Sequence, residues 1–368
     1  MDLKYMKQLD GLRAIAIFAV TYTHYLPEKY WLFGIYWGGV GVRLFFVLSG
    51  FLITAILLKC RQYVNTGNQT TLSVLRQFYI RRFLRIFPLF YLTLTLTAIL
   101  NIPPVRETII WHILYLSNIL SAKQGYWSEN VSHFWSLAVE EQFYLIWPWL
   151  IIFLAQKFLL PIIITLLFFG PLFRLTGIFL GWNEIVVDAL TPAVIDTLGF
   201  GALLAYLRYR GKSSFTSVFT NACILMGLPL FFILQFLKQT DYYSILSSVF
   251  GNTALGLIFT WLIARTSQGF RGLLGQVLEF PSIVYIGKIS YGIYVIHTFT
   301  PTLLNTVLHH FGLSGYSHYW GVIYLLSPVT TIVLAMISWH IFEKPINNIK
   351  KFFPYINKAP TSEVNSIT

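Results

Sequence analysis

The sequence predicts an all-α protein, a polytopic transmembrane helix bundle of about ten spans with one additional re-entrant or interfacial segment. Three observations carry that expectation. Hydrophobic residues make up 56% of the 368 and charged residues only 11%, where an ordinary soluble domain carries about a quarter charged. Apolar stretches of bilayer-relevant length recur along the chain, among them Ile15 to Leu26, Leu44 to Leu58, Leu145 to Phe169 and Ile323 to Ile337. Basic residues gather in a few short connections, as the positive-inside rule requires. That clustering accounts for the formal net charge of +12 without any role for nucleic acid.

Taken in order, spans are expected at about 12–26, 37–58, 84–100, 136–155, 161–180, 190–207, 216–237, 245–264, 283–308 and 319–342. The apolar stretch 109–121 is too short to cross. Basic clusters fix the orientation. They comprise Lys4 and Lys7; Lys59, Arg61, Arg76, Arg81, Arg82 and Arg85 in the connection from Lys59 to Arg85; Arg208, Arg210 and Lys212; Arg265 and Arg271; and Lys344, Lys350, Lys351 and Lys358. All lie on one side only if 109–121 fails to cross, which places both termini in the cytoplasm and residues 101–135 on the outer face. The first span is not followed by a small-residue cleavage site and is expected to be retained. Residues 1–347 form one membrane domain, and 348–368 a polar cytoplasmic tail expected to be disordered. Cys60 and Cys223, the two cysteines, suggest neither a disulfide framework nor a thiolate metal site.

Ionisable groups within spans are costly and are functional candidates by default. The first span carries Asp10, Arg13 and His24. Arg13 and His24 are eleven residues apart, so they share a helical face about 16 Å apart along the axis; Asp10 falls near the same stripe. The structural alternative is that Arg13 and His24 anchor opposite helix ends by snorkelling. The fourth span opens with His133-Phe134-Trp135-Ser136, then Leu137-Ala138-Val139-Glu140-Glu141-Gln142-Phe143-Tyr144. Ser136, Glu140 and Tyr144 share a face. A carboxylate, Glu140 or Glu141, beside His24 would fix its tautomer and raise its basicity, as a general base acting on a hydroxyl needs; the alternative is a carboxylate paired only for packing.

Arg81, Arg82 and Arg85 at the mouth of the third span present guanidinium forks suited to phosphate oxygens, or else a plain topology or lipid-headgroup signal. In the ninth span Ser290, Tyr294 and His297 share a face with Tyr291 beside them, and could line a cavity or hydrogen-bond between helices. The glycines of Gly38-Gly39-Val40-Gly41 do not follow a strand; they permit close helix approach rather than a dinucleotide loop.

These residues resemble the acyltransferase-3 family of integral membrane acyltransferases. The resemblance rests on Leu9-Asp10-Gly11-Leu12-Arg13-Ala14 with the Arg13 to His24 spacing, Phe45-Phe46-Val47-Leu48-Ser49-Gly50-Phe51, Arg82-x-x-Arg85-Ile86-x-Pro88, His133 through Tyr144, Ser290-Tyr291-x-x-Tyr294-x-x-His297, and Phe342-Glu343-Lys344-Pro345. It runs in order from about residue 5 to 347. What it implies is a ten-helix bundle that moves an acyl group, usually acetyl, from cytoplasmic acyl-coenzyme A to a carbohydrate hydroxyl. Acyl-coenzyme A is then a co-substrate and not a resident cofactor, and the partners are the carbohydrate acceptor and membrane lipids, with no nucleic acid and no metal. By the same analogy His24 is catalytic, Arg13 supports the donor or the active-site network, and Arg82 and Arg85 contact the coenzyme, with Arg81 beside them. Some family members carry an added hydrolase-like domain; without one, the chain is expected to deliver the acyl group to its acceptor directly. Asp10, Tyr144, Ser290, Tyr294 and His297 are expected to line the substrate cavity, and Glu140 or Glu141 to partner His24. The rival reading is a secondary transporter or exporter of a polysaccharide or small polar substrate, which inverted repeats would favour; none is evident.

Overall fold

The computed structural model describes residues 5–211, 213–237, 242–312 and 320–355. All regular structure among them is helical. In chain order the helices are α1 (Lys7–Tyr25), α2 (Trp37–Asn65), α3 (Thr71–Ile99), α4 (Val105–Ile113), α5 (Ser117–Gln124), α6 (Phe134–Phe153), α7 (Gln156–Phe179) and α8 (Glu184–Ala189). They continue as α9 (Thr191–Tyr209), α10 (Ser213–Phe236), α11 (Tyr242–Gln268), α12 (Gly272–Glu279), α13 (Pro281–Ile296), α14 (Thr300–His310), α15 (Trp320–Ser338) and α16 (Lys344–Asn348). A π-helical turn, Trp339–Glu343, joins the last two.

Among the described residues seven helices are long and apolar enough to cross a membrane: 37–65, 71–99, 156–179, 184–209, 213–236, 245–268 and 325–352. Each overlaps an expected span. The three expected spans outside this set correspond to α1, α6 and α13, which are the helices carrying the candidate chemistry. Their polar residues lower the hydropathy of α1 and α6, and α13 has only 16 residues, about 24 Å of helix against a hydrocarbon core of about 30 Å. Helices α4 and α5, of 9 and 8 residues, are far too short to cross, as expected for 109–121.

Three elements differ from expectation. The basic connection from Lys59 to Arg85 is helical except at 66–70. Arginine and lysine are good helix formers, Thr70 caps α3 by accepting the Ser73 N–H at 3.2 Å, and Val74, Leu75 and Phe78 give the first turns a buried face. Arg81, Arg82 and Arg85 therefore project from a rigid helix. The expected single span 283–308 is broken: α13 ends at Ile296 and α14 starts at Thr300 with Pro301 in its first turn, where proline cannot continue a preceding helix. His297 sits at this break, its N–H bonded to the Ile293 carbonyl at 3.0 Å.

Helix α2 packs against α1 and α9, and α1 packs against α13. Glycine makes these contacts close. A side chain at Gly41 would come within 2.5 Å of the Ala16 carbonyl, so the glycine-rich start of α2 is where it meets α1. A side chain at Gly50 would strike the Leu198 backbone of α9. The start of the expected tail, from 348, continues helix α16 (Lys344–Asn348) into a 3-10 turn over Ile349–Phe352, and this segment lies against α3. Lys4, Lys212, Lys358 and the rest of the tail from 356 lie outside the described residues.

Candidate active site

Helices α1, α2, α3, α6 and α13, with Asp188 of α8, line two cavities that share Val42 and Tyr294 as wall residues. The first, of about 330 Å³, is lined by Arg13, Arg82, Arg85, Glu140, Tyr144 and Tyr291, with Ser290 and Ser136 nearer Tyr294. The second, of about 390 Å³, is lined by His24, His133, Arg43, Tyr36, Trp135 and Asp188. They are called the arginine and histidine cavities below.

In the arginine cavity three guanidinium groups face one carboxylate. Arg13 is paired with Asp10 at 2.5 Å, and Asp10 also accepts from Tyr5 Oη at 2.6 Å. Neither Arg82 nor Arg85 forms an ion pair among the described residues. Each instead stands near an aromatic ring: Arg82 lies 5.6 Å from the Tyr144 centroid and Arg85 5.8 Å from that of Trp339. Glu140 lies beside Ser49 and Tyr144 and within electrostatic range of Arg82 and Arg13. Ser49 and the Tyr144 hydroxyl are hydrogen-bonded to each other. The cavity keeps a surplus of positive charge, which suits an anion. Arg81 is turned away from it. Its guanidinium donates to the carbonyls of Lys350 at 2.9 Å and Phe353 at 3.0 Å and stacks over Tyr355, so it fastens the C-terminal segment to α3.

Behind His24, outside the lining of the histidine cavity, the carboxylate expected beside it is replaced by a second imidazole. His24 Nδ1 lies 2.9 Å from His297 Nε2, and His297 Nδ1 lies 2.7 Å from the Tyr294 carbonyl oxygen. A carbonyl only accepts, so His297 carries its proton on Nδ1. Its Nε2 then holds a lone pair and accepts from His24 Nδ1–H. The chain of bonds leaves the lone pair of His24 on Nε2. His297 is fully buried, at 0% exposure, and its carbonyl accepts from Tyr25 Oη at 3.0 Å, so its position is fixed. His133 stacks edge-on against it with ring centroids 4.9 Å apart.

The carboxylates miss His24 for a reason of helical rise. His133, at the start of α6, shares the cavity with His24; Glu140 is seven residues further along, about 10 Å deeper, and falls at the level of the arginines. Glu141 points sideways into a separate, largely apolar cavity that it shares with Arg82, Tyr115 and Gln142, and its Oε1 has no hydrogen-bond partner among the described residues. Ser136 is bonded to the Tyr294 hydroxyl at 2.5 Å, and that hydroxyl lies 3.0 Å from the His133 carbonyl, so Tyr294 ties α6 to α13 between the cavities.

The structure adds residues that the sequence reading passed over. Arg43 sits within α2 at 8% exposure, and a charge in the middle of an apolar run was the signal for it. Asp188 and Tyr36 carried no comparable signal. Arg174 and Asp196, also within spans, form a buried bidentate pair with Nη–Oδ distances of 3.1 and 2.8 Å; they line neither cavity.

A family model described as an acyltransferase domain matches residues 6–339. A Staphylococcus aureus (strain MSSA476) protein named provisionally as an O-acetyltransferase is 30% identical over 378 residues, covering 93% of this chain and 57% of that protein. The O-acetyltransferase OatA of Staphylococcus aureus (strain NCTC 8325 / PS 47) is 29% identical over 366 residues with the same coverage. The chain thus spans little more than half the length of these curated relatives. No solved structure matches it. With that match over nearly its whole length, the chain belongs to the acyltransferase-3 family of membrane acyltransferases.

Proposed function

We propose that the chain is an O-acyltransferase, most simply an O-acetyltransferase, that takes the acyl group from cytoplasmic acyl-coenzyme A and places it on a carbohydrate hydroxyl at the outer side of the cell membrane. One observation carries the proposal: a cationic cavity and a cavity holding an oriented histidine meet at Val42 and Tyr294. The charge pattern of the connections supports an orientation with the arginine end in the cytoplasm and His24 toward the outside. The phosphates of the coenzyme belong with Arg82 and Arg85, and its pantetheine arm runs along α1 from Arg13 toward His24. That run is about 16 Å, or about half a bilayer core.

The chemistry follows from the tautomer. His24 Nε2 takes the proton of the acceptor hydroxyl as the oxygen attacks the thioester carbonyl. The tetrahedral intermediate collapses with loss of the C–S bond, and the departing thiolate recovers the proton from His24. The products are the ester and free coenzyme A. His297 accepts from His24 Nδ1–H throughout, holding the ring in the basic tautomer without carrying charge in the resting state. Neither cysteine lines the two cavities, and direct transfer is the simpler course.

The test is release of coenzyme A thiol from acetyl-coenzyme A by the purified protein in the presence of sugar acceptors. His24→Ala is expected to lower turnover by about 10² to 10⁴ while keeping fold and donor binding. Near-normal turnover by well-folded His24→Gln protein overturns the proposal.

A further inference from the structure

The histidine cavity has a neighbour beyond Tyr36. Tyr36, Gly39, Arg43 and Asp188 line it and also line a third cavity of about 360 Å³. Four residues therefore form a junction between two chambers of nearly equal size. The far chamber is walled by Glu28 and Trp31 from the connection after α1, Gln235 from α10, and Ser247, Ser248 and Asn252 from α11.

The two joined chambers differ in character from the arginine cavity. Glu28 and Asp188 face the lone cation Arg43 among their lining residues, so charge is nearly balanced and hydrogen-bonding groups of both kinds are present. Such a lining suits a neutral polyhydroxylated molecule. Each chamber also holds an aromatic pair. Trp127 and Trp135 have centroids 6.0 Å apart in the near chamber, and Trp31 and Tyr36 have centroids 5.3 Å apart in the far one. Rings of this kind present apolar faces to the C–H face of a sugar while leaving its hydroxyls to polar neighbours.

The junction itself is built. Arg43 Nε donates to Asn252 Oδ1 at 2.8 Å, which locks the guanidinium plane. Nη1 and Nη2 have no hydrogen-bond partner among the described residues. At Gly39 a side chain would come within 2.8 Å of the Tyr36 ring, so glycine leaves room at the boundary of the two chambers.

Building on the O-acyl-transfer reading, we infer that the acceptor is a chain of at least two linked sugar residues, laid across the Arg43–Asp188 junction. The residue to be acylated occupies the near chamber with His24, and its neighbour occupies the far chamber. Asp188 accepts and Arg43 donates to hydroxyls on either side of the linkage. These two and Trp31 are specificity-determining residues rather than participants in the chemistry.

The experiment compares methyl glycosides of glucose, galactose, rhamnose and N-acetylglucosamine with their disaccharides, using the full chain and acetyl-coenzyme A. For at least one sugar, kcat/KM is expected to rise about tenfold or more from one ring to two, since a tenfold gain needs only one or two good contacts. Trp31→Phe and Asp188→Asn are each expected to shrink that ratio to below about threefold, through KM rather than kcat. Equal kcat/KM for one ring and two, or an undiminished ratio in both variants, overturns the two-chamber inference and leaves O-acyl transfer standing. Transfer to no sugar in the panel overturns both. The comparison of chain lengths in the unaltered protein needs no variant to fold.

Discussion

Replacing His297 tests the tautomer argument directly, because this residue lines neither cavity. In His297→Phe the ring volume is largely kept, but the acceptor 2.9 Å from His24 Nδ1 is lost. His24 can then carry its proton on either nitrogen, and the imidazolium formed during transfer loses a charge-assisted hydrogen bond. Such a bond is worth about 1.5 to 3 kcal/mol, which corresponds to about a 10- to 100-fold fall in kcat. Donor affinity should not change, since the arginines are untouched. In His297→Gln the amide oxygen can accept from Nδ1–H, and most of the loss should be recovered. The assay is thiol release under saturating acetyl-coenzyme A, with donor binding measured separately. The double variant with His24→Ala should be no slower than His24→Ala alone, because His297 acts only through His24. The reasoning is refuted if His297→Phe turns over at the parent rate, or if Gln and Phe are equally damaging in folded protein.

Four further outcomes follow. Arg82→Ala or Arg85→Ala should weaken acyl-coenzyme A binding, and binding by the parent should weaken with added salt; unchanged affinity in both variants would return the cluster to a topology signal. Asp196→Ala should destabilise the fold by about 3 to 5 kcal/mol by leaving Arg174 buried without its partner, seen as a lower thermal unfolding midpoint in detergent. Burial holds the pKa of His112 near about 4, below an unfolded value of about 6.5. Only the unfolded chain binds this proton between those values, so stability should fall by up to about 3 kcal/mol as pH drops through that window; an equally steep loss in His112→Gln would disprove the assignment. A single cysteine at Gln124 should react with an impermeant thiol reagent on intact cells and one at Thr70 should not, and the reverse pattern would invert the orientation.

The helical class and the seven long apolar helices were legible because hydropathy reports burial in lipid directly. Caps and breaks were harder. The break after Ile296 depends on Pro301, which was visible, but apolar residues continue through Leu303 and Leu304 and masked it. The site residues on α1 stood out because Asp10, Arg13 and His24 are polar in an apolar setting, and their common stripe follows from 3.6 residues per turn. Which group faces His24 was not legible. The sequence offered two carboxylates and several histidines, and choosing among them needs the relative depth of α1, α6 and α13, a tertiary quantity that no periodicity contains. Arg43 was detectable by the same rule that singled out Arg13 but was overshadowed by the surrounding glycines.

The three helices that hold the chemistry are the ones least able to live in lipid on their own. Glu140 and Glu141 in α6, Arg13 and Asp10 in α1, and the short polar face of α13 would each cost several kcal/mol if exposed to hydrocarbon. The packing of α1 and α6 against α2, which is 72% buried over its apolar window, and of α13 against α1 turns those groups toward each other and toward the cavities. Gly41 lets α1 approach α2 closely, and Gly287 of α13 sits where a side chain would strike the Asp10 backbone of α1. Larger residues there would separate these helices and admit lipid between them. On the proposed mechanism the glycines would act on transfer through dielectric and geometry together. They hold His24 within 2.9 Å of His297 in a site shielded from the acyl chains, where the orientation of one imidazole proton is set by a single backbone carbonyl.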